Sequence, residues 1–329
     1  MQEKKRILSG MRPTGKLHLG HYCGALQNWV RLQKEYQCFY MIADWHALTT
    51  DYERIGPIQE YTLDMVIDML AAGIDPEKST LFVQSKVKEH AELALLLGMI
   101  TPLSWLERVP TYKEQMQQLT DRDLSTFGFL GYPLLQAADI MIYKAHAVPV
   151  GVDQQPHIEL TREIARRFNF LYGEIFPEPE CLLAEESKIL GLDNRKMSKS
   201  YDNALYLSDT PDIIRKKVST MITDPARVKR SDPGHPEVCN VFTFHKIFSP
   251  SEVVEEVKCK CESAEIGCVE DKKKMAEYLI TAIAPHQARR AELAKNPAQV
   301  WNILEQGRQK ATAFAESTMN EVQKVMKLR

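Results

Sequence analysis

The stretch from Lys4 to Trp29, KKRILSGMRPTGKLHLGHYCGALQNW, narrows what this chain can fold into more than any other. Arg6, Ile7, Leu8 and Ser9 read as a short buried strand, and Gly10, Pro13 and Gly15 punctuate a tight loop. From Leu17 the apolar positions Leu17, Tyr22, Leu26, Trp29 and Val30 recur at helical spacing. Strand, glycine loop and helix in that order aim unpaired backbone N–H groups and the positive end of the helix dipole at whatever lies above the strand, which favours phosphate. His18 and His21 stand three apart and share one face of the first turn. Gly20 between them leaves no side chain to block a flat ligand. The same letters fit a surface helix with two solvated histidines. A zinc pair is a third reading, but no nearby Cys or carboxylate completes a tetrahedral set.

Further along, strand and helix alternate. Cys38 to Asp44 is a compact apolar run ending in a polar residue, with Trp45 and His46 at its carboxyl end. A helix over Ile58 to Ala72 closes at Gly73, a strand covers Ser79 to Ser85, and a helix follows from about Glu89 to Met99. The pattern predicts an α/β fold with a doubly wound parallel sheet, in which ligands meet the carboxyl ends of the strands. Residues 105–145 read as a helical insertion, polar at first and then apolar over YPLLQAADIMIY. Asp139 interrupts that apolar helix and is costly to bury without a partner, unless it faces a surface groove. Val148 to Gln154 reads as a strand running into a Gly-Val-Asp-Gln turn, and a helix over Gln155 to Phe168 carries His157 and Glu159 in its first turns. Gly151 permits close backbone approach, and Asp153 is an acceptor for a pair of hydroxyls. Beyond Asn203 the alternation stops. Asp212 to Thr223, Lys272 to Ala284 and Pro297 to Met326 read as helices, so an α/β unit over 1–205 and a helical unit over 206–329 are expected.

A chain of 329 residues is long enough for two such cores. No run of about 18 apolar residues marks a membrane span and MQEKKR does not begin a signal peptide, so a cytoplasmic enzyme is expected. A net charge of −2 means that any polyanion must be met by local basic patches, such as Arg227-Val228-Lys229-Arg230 or Arg215, Lys216 and Lys217. Each of these is equally read as a solvated charged face.

A second motif supports the first. Arg195-Lys196-Met197-Ser198-Lys199-Ser200 follows the turn Gly191-Leu192-Asp193-Asn194 and sets two lysines three apart among small hydroxyl residues. Such a loop can close on a polyphosphate and neutralise charge building on a leaving group. HLGH near the start, with KMSKS nearly two hundred residues later, resembles the signature of class I aminoacyl-tRNA synthetases. The segments SGMRPTGKLHLGHYCGALQNWV, ADWHALT, VPVGVDQQPHIELTREIARRFN, GLDNRKMSKSYDNAL and MITDPARVKRSDPGHPEVCNVF narrow the resemblance to the bacterial-type tryptophanyl-tRNA synthetases.

That resemblance implies a Rossmann-like catalytic domain, a helical anticodon-binding domain for tRNA(Trp), and a homodimer. It implies activation of L-tryptophan with ATP and Mg²⁺ to an adenylate, then transfer to tRNA, with no covalent enzyme intermediate. By matching motif positions, His18, His21, Lys196 and Lys199 would be catalytic. Arg12, Gly20, Gly151, Asp153, Gln154, Met197 and Ser198 would join them around ATP. Leu8, His46, Tyr132, Gln136, Asp139, Val148, Val150 and Gln154 would line the tryptophan pocket, with Asp139 accepting the indole N–H. Several positions depart from the family pattern: Leu8 replaces a phenylalanine, Arg12 a glutamine, Gln136 a methionine, and Gln115 a lysine for which Lys113 is a candidate substitute. The tyrosine-specific sibling and a small-molecule nucleotidyltransferase sharing the H-x-G-H site are the competing readings.

Cys239, Cys259, Cys261 and Cys268 fall within thirty residues. Some members of the family hold a [4Fe–4S] cluster on four cysteines in this region. Cys239, Cys261 and Cys268 match three of those positions, with Asp271 in place of the fourth and Cys259 as an extra thiol. A bound cluster or metal on these cysteines is one expectation, and a fortuitous grouping is the other.

Overall fold

The computed structural model describes residues 4–53, 55–118, 123–183 and 189–329. Within these, five parallel strands form a sheet: β1 (Arg6–Met11), β2 (Gln37–Ile42), β3 (Ser79–Val83), β4 (Ala147–Val150) and β5 (Glu180–Leu183). Their order is β3-β2-β1-β4-β5, with Ile7 of β1 paired to Cys38 on one side and Ala147 on the other. The order reverses between β1 and β4, so the carboxyl ends of those two strands part and leave a crevice. Strand β2 is buried at every position after Gln37, as expected of a strand covered on both faces.

Helices cover the sheet. The first is composite: α1 (Leu19–His21), a π-helical turn over Tyr22–Leu26, and α2 (Gln27–Leu32). It begins at Leu19 rather than Leu17, because Leu17 accepts from Leu207 N through its carbonyl while Leu19 N donates to Leu205 O. Next come α3 (Asp44–Asp51), α4 (Ile58–Ala72), α5 (Glu89–Gly98), α6 (Leu103–Glu107), α7 (Pro110–Gln118), α8 (Phe127–Ile142) and α9 (Gln155–Tyr172). Gly73 closes α4 at φ +111°, a left-handed conformation that suits glycine.

Strand β4 ends at Val150 before a 3₁₀ turn over Val152–Gln154, as expected. Other boundaries differ. Asp44 opens α3 instead of ending β2, and β3 stops at Val83 rather than Ser85. Helix α8 starts at Phe127, because the Thr126 hydroxyl caps it by accepting from Phe129 N at 3.2 Å.

After residue 205 the described chain is helical: α10 (Pro211–Ser219), α11 (Asn240–Phe248), α12 (Ser251–Glu262), α13 (Cys268–Ala294) and α14 (Pro297–Val325). Helix α13 is longer than the periodicity suggests and runs through Pro285. The fold is α/β, a doubly wound parallel sheet followed by a helical region.

This helical region leans on the sheet. Arg290 of α13 donates to Asp68 of α4 at 2.9 Å and also pairs with Asp64. Ala311, Ala315, Met319 and Val322 of α14 are buried in the same apolar cluster as Phe39 and Phe82 of the sheet. Gly307 makes that docking close: a Cβ there would stand 1.7 Å from the Leu81 carbonyl oxygen of β3. Gly307→Ala is therefore expected to force α14 off the sheet and cost roughly 1–3 kcal/mol or more, read from the urea midpoint. An unchanged midpoint would contradict the close contact.

Candidate active site

The two basic motifs meet. Gly15 sits at φ +116°, and a Cβ there would lie 3.4 Å from Lys199 Nζ and 4.0 Å from the Tyr61 ring. A Cβ at Gly20 would touch the His18 ring at 3.0 Å and Met197 Cβ at 3.6 Å. The glycines of the first motif thus leave the space into which the lysine loop packs. His18 also bridges to Tyr206, just after that loop.

The rings of His18 and His21 stack, with centroids 3.7 Å apart. His18 N donates to His21 Nδ1 at 3.2 Å, which leaves the ring proton of neutral His21 on Nε2. Burial, with Lys199 adding to it, pushes the His18 pKa down to about 4. Burial, then His18 and Lys199, push His21 well below its ordinary value. Both rings are neutral near pH 7. His18 Nδ1 is buried without a hydrogen-bond partner among the described residues. Burial, then the Arg12 guanidinium, lower the Lys199 pKa to about 8 against the attraction of Asp64.

Asn203 holds the lysine loop in shape. Its Oδ1 accepts from Ser198 N at 2.8 Å, and its Nδ2 donates to Asp193 Oδ1 at 2.7 Å and to Lys196 O at 3.2 Å. The Lys196 side chain is exposed, whereas Met197 is buried and Lys199 half-buried. The Lys113 side chain is exposed as well, and that of Gln115 lies outside the described residues.

Beside this junction, at the carboxyl ends of β1 and β4, lies a cavity of about 420 Å³. Of the residues expected in the pocket, Leu8, His46, Tyr132, Gln136, Asp139, Val148, Val150 and Gln154 all line it, as do Arg12 and Gly151. Asp153 does not; it is exposed, with Gln154 Nε2 donating to it at 3.4 Å. His157 also lines the cavity, 3.1 Å from Thr111 Oγ1 and 3.2 Å from Tyr132 Oη, and burial lowers its pKa to about 4.

Some wall residues escaped the sequence reading. Gly24, Ala25 and Asn28 face the cavity from the π turn and the helix after it. The helical spacing that located this segment carries no mark of a π turn. Ser9 and Phe129 escaped because a strand residue and a helix-start aromatic read as ordinary packing.

Asp139 lines the cavity at 1% exposure. Gln84 Nε2 donates to its two oxygens at 2.9 and 3.0 Å, His46 Nε2 stands 2.7 Å from Oδ2, and His90 Nδ1 stands 2.6 Å from Oδ1. Burial by itself would raise the pKa, but the two imidazoles hold the carboxyl below its ordinary value. Asp139 is therefore a buried anion on the cavity wall. Gln84 and His90 escaped the sequence reading, since neither spacing nor composition shows which side chains back a buried acid.

The cysteines do not form a ligand set. Cys261 and Cys268 turn their sulfurs to one cation, Arg227 Nη1, at 3.7 and 3.9 Å. Asp271 is engaged by His245 at 3.1 Å, and Cys259 is exposed while Cys239 is buried. Among the described residues no group of three or more His, Cys, Asp or Glu is arranged to hold a metal. The expected cluster or metal on Cys239, Cys259, Cys261 and Cys268 is corrected accordingly: a guanidinium faces two of the thiols, and the fourth position belongs to a hydrogen-bonded acid.

Several basic candidates are also committed internally. Arg227 donates to the carbonyls of Arg230 and Ile266, Arg215 pairs with Glu277 and Asp212, and Lys217 pairs with Asp209. Lys216, Lys229 and Arg230 remain exposed.

The chain resembles known proteins along its whole length. Residues 1–284 match the family described as tRNA synthetases class I (W and Y). The tryptophan–tRNA ligase of Thermotoga maritima is 55% identical over 98% of this chain and 99% of its own. That of Aquifex aeolicus is 46% identical over 98% of this chain and all of its own. In three dimensions, tryptophanyl-tRNA synthetase from Campylobacter jejuni, complexed with ADP and tryptophan, superposes with a TM-score of 0.89 at 34% identity, covering 98% of this chain and 99% of its own. The chain belongs to the class I tRNA synthetases of the tryptophan and tyrosine type.

Proposed function

We propose that this chain is a tryptophan–tRNA ligase acting in the cytoplasm. The observation that carries the reading is the meeting of Lys199 with the HLGH turn beside a cavity whose far end is a buried, ionised carboxylate. In the first step a tryptophan carboxylate oxygen attacks the α-phosphorus of ATP. The bond to the bridging oxygen breaks, and pyrophosphate leaves with its electron pair. In the second step the 3′-terminal ribose hydroxyl of tRNA(Trp) attacks the activated carbonyl, and AMP leaves.

The protein's part is positioning and electrostatics. His18 and His21, neutral and stacked, offer ring N–H groups and a flat surface to the adenine and phosphates, over the gap left by Gly20. Lys199 neutralises the departing pyrophosphate. Lys196, exposed on the same loop, joins it when the loop closes, with Met197 and Ser198 setting the loop's backbone. Arg12 adds charge at the phosphate end. Mg²⁺ would be held chiefly by phosphate oxygens, where it would share the leaving group's charge. Gly151, Gln154 and Asp153 serve the ribose and the amino-acid end. At the far end Asp139 accepts the indole N–H between Tyr132, Val148, Val150 and Leu8, with His46 and Gln136 beside it. An indole N–H has no acceptor capacity, so an anion suits it.

The helical region from about residue 206 is proposed to carry tRNA, with Lys216, Lys229 and Arg230 as phosphate contacts. A homodimer is proposed, with the exposed apolar side chains of Leu95, Met99 and Leu103 as candidate contacts.

ATP–pyrophosphate exchange across the amino acids tests the assignment. Tryptophan alone is expected to support it; exchange with tyrosine instead, or with none, would overturn the reading. Asp139→Ala is expected to lose about 2–4 kcal/mol of transition-state binding for tryptophan, and unchanged efficiency would remove Asp139 from the pocket. Lys199 supplies a pH signature. It is charged below about 8 and neutral above. The kcat/KM for ATP should therefore fall as pH rises through that value, and Lys199→Arg should abolish the fall. A wild-type profile flat to about pH 10 would contradict the role.

A further inference from the structure

Three side chains behind the cavity never reach it, yet they govern its acid. His90 is fully buried, Gln84 is fully buried, and Tyr143 is fully buried; none lines the cavity. Each acts on Asp139 directly or through a neighbour. Gln84 Nε2 spans both carboxylate oxygens, at 2.9 and 3.0 Å. His90 stands between Asp139 Oδ1 at 2.6 Å and Tyr143 Oη at 2.8 Å. The ring is clamped by aromatic neighbours, with Tyr143 at 5.4 Å and Phe82 at 6.0 Å between centroids.

We infer that His90, Gln84 and Tyr143 are positioning residues that keep Asp139 an acceptor-only anion on the cavity wall, making the site selective for a ring that carries an N–H. This rests on the reading of Asp139 as the indole acceptor.

The hydrogen bonds support it. A carboxylate accepts about four, and four reach this one: Gln84 Nε2 to both oxygens, His90 Nδ1 to Oδ1 and His46 Nε2 to Oδ2. Surrounded by donors on both oxygens, the acid is held as an anion on the cavity wall. Toward an acceptor-only anion, His90 Nδ1 must carry the proton whether the ring is neutral or charged. In the neutral ring, the Tyr143 hydroxyl donates to Nε2 and thereby fixes that tautomer.

Gln84 gives independent support. Its Oε1 is buried without a hydrogen-bond partner among the described residues. Turning the amide over would satisfy nothing, because it would set Oε1 against the carboxylate. The chain tolerates an unpaired buried acceptor so that an N–H faces Asp139, a local cost of the kind found at functional sites.

A ligand N–H brings a further donor to this anion, whereas a ring with sulfur in that place sets a lone pair against it. The test compares tryptophan with its benzothienyl analogue, in which sulfur replaces the indole N–H, by ATP–pyrophosphate exchange. Wild type is expected to favour tryptophan by at least about 100-fold in kcat/KM. His90→Leu should lower the tryptophan value by about 100-fold, mainly through its KM, and leave the analogue and the KM for ATP within about 3-fold. His90→Asn, which keeps a donor, should recover much of the preference. Tyr143→Phe removes a single hydroxyl and should lower the preference by about 10-fold, so it carries the test if His90→Leu does not fold.

Equal losses for both amino acids in these variants would mean packing alone and overturn the inference, as would an unchanged preference. Asp139→Asn separates the two readings. If it abolishes the preference while the His90 and Tyr143 variants keep it, only the present inference fails. If it too keeps the preference, the indole-acceptor reading fails with it.

Discussion

The site depends on one approach: Lys199 comes down over Gly15, whose left-handed backbone conformation any other residue would strain. Everything nearby is arranged around it. Tyr61 of α4 closes the other side of Gly15, and Asn203 fixes the loop that delivers the lysine. The cation lowers the pKa of both histidines, although burial contributes more. The partly buried ammonium is held at some electrostatic cost, visible in its own lowered pKa. A polyphosphate entering the crevice would relieve that cost.

The cavity at the strand ends carries opposite electrostatics. Arg12 lines it and acts on Lys199, while Asp139 on the same wall is a carboxylate pinned by three donors. The crevice opens where the strand order reverses, between β1 and β4. The helical region is braced to the same frame through Arg290 and Asp68, and α14 returns to β3. The helices after residue 205 are thus continuous with the core that shapes the site.

Much of this was legible in the letters, for physical reasons. Strands β1 to β4 announce themselves as short apolar runs, and HLGH with KMSKS marked two distant segments that the fold brings together. Asp139 stood out because a charge in an apolar helix needs an explanation. What was hidden depends on contacts between distant residues. The edge strand β5 is only four residues long and largely unburied, and the π turn over Tyr22–Leu26 has no compositional mark. Gln84, His90 and Asn203 matter through the groups that they orient, which a linear reading does not show. The cysteines illustrate the reverse hazard. Their grouping in sequence suggested a shared ligand, but in space Arg227 occupies the side that two of them face, and Asp271 is held by His245.

The claim on which the rest turns is that the histidine turn and the lysine loop act on one triphosphate. A double-mutant cycle of His18→Ala and Lys199→Ala, read as kcat/KM for ATP in pyrophosphate exchange, measures it most directly. The account predicts a coupling energy of at least about 1 kcal/mol between the two positions. Losses that add to within about 0.3–0.5 kcal/mol would contradict it, because independent sites add and groups sharing one ligand do not.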